Sequence, residues 1–306
     1  MVLRLITALG AALVLSACGG GNPFGNAPDC RDNPFSAPKE CPTGTTPGTG
    51  TGTGSSTEIP AALRGNLVGA SYNPSAGTLT AIIDQLAAGQ KTVVFNRTPS
   101  LDVPGYQAFT FQENGSTRVF IAQMAASADG SMAAGVAGSG QFTEVLWGSG
   151  YVARTAFEAP TNGGLGNLSS HYAGILNTGV VVPGPGAPFD PSRPHRVQGE
   201  VLVNADFTNK KLEGGIRNRV NVDTATAMDD LFLQIGTIKD DGTFGGTVAY
   251  SDLSAARTYG GALGGKDGAA IAGAIEVKPL KTDGKLLERG VFIGTKCAPG
   301  NPPPCP

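Results

Sequence analysis

Apolar and polar residues alternate with a period of two along much of the chain after residue 59. In residues 197–207 one face carries Val197, Val201, Val203, Ala205 and Phe207. The other carries Gln198, Glu200, Asn204 and Asp206, with Leu202 the one exception. A period of two sends successive side chains to opposite faces, which predicts a half-buried strand. Residues 107–112 and 117–124 alternate around Asn114-Gly115 and predict a hairpin, and residues 231–238 pair in the same manner with 244–250. Asp-Gly dipeptides follow at Asp129-Gly130, Asp241-Gly242, Asp267-Gly268 and Asp283-Gly284. Each supplies the two positive φ values of a type I′ turn. Helical spacing is scarce. Its best candidate is residues 79–88, where Leu79, Ile82, Ile83 and Leu86 fit a helix and a strand equally well.

Breaks in this pattern divide the chain. Residues 43–57 contain only Gly, Thr, Ser and Pro and cannot build a core, so they predict a flexible tether. Such a segment spans about 20 Å as a coil and about 50 Å when stretched. Residues 179–194 carry five prolines and predict a loop. We therefore divide the chain into 18–58 (tether), 59–159 (a β-rich region), 160–296 (a second β region) and 297–306 (a Cys/Pro-rich tail). Residues 160–296 suffice for eight strands, and closing them into an antiparallel barrel removes the exposed edges an exported sheet must otherwise protect. Glycines at 260, 261, 264, 265, 273, 290 and 294 lie within or beside apolar runs, as at the bends of a small barrel. The fold class expected is all-β, an eight-stranded barrel preceded by a smaller β-rich subdomain.

Residues 1–17 read MVLRLITALGAALVLSA: one cation, Arg4, then an apolar run too short to span a bilayer. This is a secretory signal. It ends in Leu15-Ser16-Ala17-Cys18, which resembles the lipobox of bacterial lipoproteins, with Cys18 as the acylated residue. The resemblance implies cleavage before Cys18 and anchoring by lipid chains, of which two suffice. Gly19 in place of aspartate implies the outer membrane.

Export changes the reading of the cysteines. With Cys18 lipidated, Cys30, Cys41, Cys297 and Cys305 remain, an even number that predicts two disulfides. Local pairing of Cys30 with Cys41 and Cys297 with Cys305 is favoured, and a clasp joining the two chain ends is the rival. No Cys-x-x-Cys or neighbouring His supports zinc, and no cofactor is expected. The formal net charge is −2, so nucleic acid is not an expected partner. No Gly-x-Ser-x-Gly, His-Glu-x-x-His or phosphate loop occurs, and an enzyme is not expected. His171 and His195 are read as structural, Lys239-Asp-Asp-Gly242 as a turn, and Trp147 as a core anchor. One charge cluster is a candidate binding site. Arg193, Arg196, Lys210, Lys211, Arg217 and Arg219 stand against Glu200, Asp206 and Glu213, and would make a basic patch if neighbouring strands aligned them.

The order Tyr172-Ala-Gly174, Val197-x-Gly199, Ala205-Asp206-Phe207, Leu212-Glu-Gly214, Phe244-x-Gly246, Tyr259-Gly-Gly-Ala-Leu263, Ile271-Ala-Gly273 and Gly290-Val-Phe-Ile-Gly294 resembles the C-terminal barrel of transferrin-binding-protein-B-like surface lipoproteins. The resemblance covers residues 166–295, and the region before it only by layout. It implies a handle-like domain at 59–159, a barrel at 160–296, and an outer-membrane, surface-exposed lipoprotein that binds a protein or solute; a monomer is expected. An envelope-assembly lipoprotein without a soluble ligand is the alternative. No transferrin-contacting residues can be matched.

Overall fold

The structure is a computed structural model. It describes residues 59–73, 76–84, 89–112, 119–127, 132–139, 147–153, 155–177, 194–278 and 287–298. The signal segment, Cys18, the tether, Arg193 and the Asn114-Gly115, Asp129-Gly130 and Asp283-Gly284 turns lie outside the described residues.

A single helical turn, α1 (Ala61–Arg64), leads into β1 (Leu67–Asn73), β2 (Thr78–Ile83), β3 (Lys91–Arg97), β4 (Gln107–Gln112), β5 (Val119–Ala126), β6 (Met132–Ser139) and β7 (Trp147–Ala153). These seven form an antiparallel meander in chain order. The ambiguous stretch at 79–88 is therefore strand as far as Ile83, because β2 is paired on both sides and its Thr and Ile residues suit a pleated surface.

The second sheet holds β8 (Phe157–Glu158), β9 (Leu165–Asn177), β10 (His195–Asp206), β11 (Lys211–Asn221), β12 (Thr226–Ala227), β13 (Leu231–Ile238), β14 (Thr243–Tyr250), β15 (Ala255–Lys266), β16 (Ala270–Val277) and β17 (Leu287–Lys296). Its strands run β10-β9-β17-β16-β15-β14-β13-β11, and β10 pairs with β11 to close an eight-stranded antiparallel barrel. The short β8 and β12 are appended to it, β8 in parallel with β15. The alternation read from residues 197–207 holds: Val197, Val201, Val203 and Ala205 are completely buried and Phe207 nearly so. Asp267 and Gly268 have φ values of 58° and 62°, as a type I′ turn requires. Asp241-Gly242 departs from that expectation. Only Gly242 has a positive φ there, closing a longer Lys239–Thr243 turn.

Aromatic side chains lie across the barrel glycines on neighbouring strands. Tyr259 faces Gly246, Phe244 faces Gly261 and Phe292 faces Gly273 in the strand register. A Cβ at Gly246, Gly261 or Gly273 would come within 2.7, 2.2 and 2.4 Å of those rings. Tyr172 likewise covers Gly290, where a Cβ would fall 2.0 Å from its hydroxyl. The glycine spacing is thus the imprint of inward aromatic rings lying flat against the wall.

The two sheets share an apolar seam. Ile121, Ala125, Ala134, Val136 and Tyr151 of the meander pack on Ala173, Ile175, Ala272, Ala274 and Val291 of the outer barrel wall. Small residues allow the close approach; a Cβ at Gly138 would lie 2.6 Å from Ile175. Leu63 of α1 is fully buried at this seam. Its carbonyl accepts bonds from Ser149 Oγ at 2.6 Å and Arg289 Nη1 at 2.7 Å, so one turn of helix is bonded to both sheets.

Candidate functional site

Strand register sorts the barrel connections into two ends. Asp206 pairs with Leu165 and Lys211, and Ile238 with Phe244, so the turns at 207–210, 239–242 and 267–269 share one end. His195 pairs with Leu176, Asn177 with Leu287, and Leu231 with Tyr250. The connections 178–194, 222–230 and 278–286 therefore share the other end, together with the short turn 251–254. We call these the hairpin end and the loop end.

The loop end is supported from within by ionised side chains. Arg219 is 1 % exposed and Glu288 is 0 % exposed, and the Arg219 guanidinium donates from Nη2 to Glu288 Oε2. Its Nη1 donates to the carbonyl of Asp229, in the connection between β12 and β13. Tyr172 Oη donates to the other oxygen of Glu288 at 2.5 Å. Burial alone would depress Arg219, but the adjacent Glu288 carboxylate outweighs it and holds the guanidinium above its ordinary value. Burial, reinforced by Glu288, pushes the Tyr172 phenol well above its usual range. Both partners of Glu288 therefore keep their protons at any physiological pH.

A second clasp holds the start of β10. Asp223 accepts from the Arg196 backbone N–H at 2.6 Å and from Arg196 Nη2 at 2.6 Å. Burial would raise Asp223, and the Arg196 hydrogen bonds reverse this, leaving its carboxyl below the usual carboxylate range. Asn221 meets His195 Nδ1 at 3.0 Å and accepts from the N–H groups of Asp223 and Thr224. The connection 178–194 thus returns to the barrel at a fixed point.

The six cations do not converge on one patch. Arg193 lies outside the described residues. Arg196 and Arg219 are buried supports of the loop end, not surface charges. Lys210 and Lys211 lie at the hairpin end, where Lys210 pairs with Asp240 at 2.5 Å and Lys211 Nζ approaches Thr237 Oγ1 at 3.3 Å. Arg217 is exposed on the outer wall. Ten residues of strand separate Arg196 from the hairpin end, about 33 Å. Proximity in sequence here spans both ends of one hairpin.

Of the cysteines only Cys297 is described, and its backbone N–H donates to Asn167 O at 2.7 Å; Cys30, Cys41 and Cys305 lie outside. His171 packs beside Gly105 of the meander. Asp241 spends its carboxylate on the N–H and hydroxyl of Thr243, within its own turn. Trp147 opens β7 opposite Gly138, and its side chain lies outside what is described. Of Glu288 and Tyr172, which carry the loop end, the sequence marks only Tyr172, through the Tyr172-Ala-Gly174 spacing; Glu288 has no signal in it.

The chain is similar to several solved structures at low identity. The chain is similar to intact Ap-TbpB (N and C lobes) at 14 % identity, covering 75 % of this chain and 55 % of that one, with a TM-score of 0.40. It is similar to a double mutant of the vaccine antigen transferrin binding protein B from Haemophilus parasuis Hp5, at 15 % identity over 74 % of this chain and 52 % of that one, TM-score 0.40. A structure described as a surface lipoprotein is matched over 74 % of this chain and 100 % of that one, at 13 % identity and a TM-score of 0.34. The chain spans about half the length of the TbpB structures it matches. No protein-family model and no curated protein sequence matches it.

Proposed function

We propose that this chain is a lipid-anchored binding protein of the outer membrane, displayed at the cell surface, which captures a protein or solute through the loop end of its barrel. The observation that carries the reading is the asymmetry of the barrel. The strand ends joined by the connections 178–194, 222–230 and 278–286 lie at one end, and two ion-pair clasps fix those strands. Recognition on loops held by a rigid scaffold is a common arrangement. The interior offers no alternative, since Val201, Val203, Ile216, Ile271 and Phe292 fill it. The lipobox at Cys18 and the tether at 43–57 supply anchor and reach, and the disulfides Cys30–Cys41 and Cys297–Cys305 would brace the tether and tail.

The test uses the mature chain immobilised against surface-exposed or secreted proteins, beside a variant lacking residues 181–191. Saturable capture that the shortened variant loses, with an unchanged melting temperature, supports the reading. Equal capture by both variants removes the loop end from recognition. In the same cells Cys18→Ser should leave the membrane fraction, because serine cannot form the thioether. Protease added to intact cells should digest the wild-type chain.

A further inference from the structure

The outer wall of β10, β11 and β13 faces away from the seam and carries a groove of about 590 Å³. In strand register Leu202 lies opposite Gly215, and Gly215 opposite Phe232, so an apolar row crosses three strands with a bare position at its centre. Leu253 and Ile235 border it. They are 74 % and 67 % exposed, two of the four exposed large hydrophobic residues among those described. Leu253 holds a φ of 65°, a left-handed conformation that a branched apolar residue adopts at a cost. Ile235 sits where the β13–β14 register shifts. Packing does not explain the bare centre. A Cβ at Gly215, which is buried, would make only ordinary contacts, with Leu231 O at 3.5 Å and Arg217 Nε at 3.8 Å, whereas Gly214, Gly246, Gly261, Gly273 and Gly290 are each blocked within 3.0 Å.

Charge completes the surface. Glu213 and Arg217 flank Gly215 on the same strand face, both exposed and with no ion pair among the described residues. Glu200, opposite Arg217, accepts instead from Asn218 Nδ2 at 2.8 Å. Four strand residues put Glu213 and Arg217 about 13 Å apart. An extended segment presents positions i, i+2 and i+4 on one face with that same spacing, whereas i and i+4 on a helix lie only about 6 Å apart. We propose that this wall, which meets the loop end only at Leu253, is a recognition surface for an extended protein segment with a base, an apolar residue and an acid at alternate positions. The apolar side chain takes the place over Gly215 between Leu202 and Phe232, as Arg217, whose Nε lies 3.8 Å from a Cβ at that position, swings out to the acid. The base meets Glu213 and the acid meets Arg217.

Isotope-labelled lipid-free chain (residues 18–306, Cys18→Ser) titrated with the peptide Lys-Thr-Leu-Thr-Glu should show saturable amide shifts at Leu202, Gly215 and Phe232. Glu-Thr-Leu-Thr-Glu should bind about tenfold more weakly, and Glu213→Lys should invert that preference without touching the core. Gly215→Leu should weaken both peptides by about tenfold by filling the floor. The proposal is overturned by an absence of saturable shifts, by equal binding of the two peptides, or by a preference that Glu213→Lys leaves unchanged. Shifts of the same amides on raising protein concentration alone, with a dimer in sedimentation, would assign the wall to a second copy and overturn it too. None of these outcomes depends on the 178–194 connection, so this surface and the loop end stand or fall separately.

Discussion

Lys210, in the turn before β11, and Arg219, near the other end of that strand, are cations each paired with a carboxylate. The Lys210–Asp240 pair leaves its side chains 59 % and 89 % exposed at the hairpin end, whereas the Arg219–Glu288 pair is enclosed under the loop end. The hairpin end needs no ionic support. Its turns satisfy themselves, as where Asp206 Oδ1 accepts from the N–H groups of Thr208 and Asn209, and Phe157 stacks on Phe207 at 6.2 Å. At the loop end the short turn 251–254 closes itself in the same way, Asp252 Oδ1 accepting from the N–H and hydroxyl of Ser254, but the 222–230 connection is held by charge placed inside the barrel. Removing an exposed charge costs little because water replaces the partner, while removing a buried one strands the other in a low dielectric.

The comparison breaks most visibly at Glu288. Glu288→Leu leaves Arg219 buried without a counter-charge and should cost about 3–5 kcal/mol in denaturant unfolding. Adding Arg219→Met to that variant should recover most of the loss; a double variant as unstable as the single one would mean that the pair is not the support described. Next comes the aromatic closure of the hairpin end. Phe207→Ala should cost about 3 kcal/mol by cavity formation, measured the same way.

The Arg196–Asp223 clasp should be worth less, about 1–2 kcal/mol in Asp223→Asn, and it carries a pH signature. The folded carboxyl lies below its ordinary value of 3.8. Its contribution is therefore present above that value and lost as pH falls through the folded pKa. The wild type should lose this increment on acidification below about pH 4, and Asp223→Asn should show a shallower acid limb. Smallest is Lys210→Ala at the hairpin end, expected to shift stability by less than about 0.5 kcal/mol. A larger loss there would erase the distinction between the ends.

Sequence reading reaches the strands, the closing of the barrel and the glycine positions, because a period of two and turn dipeptides are local signals. It fails at Arg219 for a physical reason. Ile216 points inward and Arg217 outward, so uninterrupted alternation would send Arg219 out. The register shifts here, with Gln198 opposite Val220 but Glu200 opposite Arg217, and Asn218 takes a φ of 52°. That bulge changes the phase of the strand and turns Arg219 into the barrel. A bulge at a non-glycine residue leaves no mark in the hydrophobic pattern. Leu202 is the reverse case. It breaks the polar face of β10, and that irregularity marks the outer groove, although one apolar residue among polar ones cannot identify its neighbours Gly215 and Phe232 on other strands.

The position of α1 has a mechanical consequence. Tension on the chain ahead of Ile59 meets the folded protein at Ile59 and Leu63, both buried at the seam, and the Leu63 carbonyl is held by Ser149 of β7 and Arg289 of β17. The load is shared between two sheets at the seam before it reaches β1, the edge strand of the meander that follows α1.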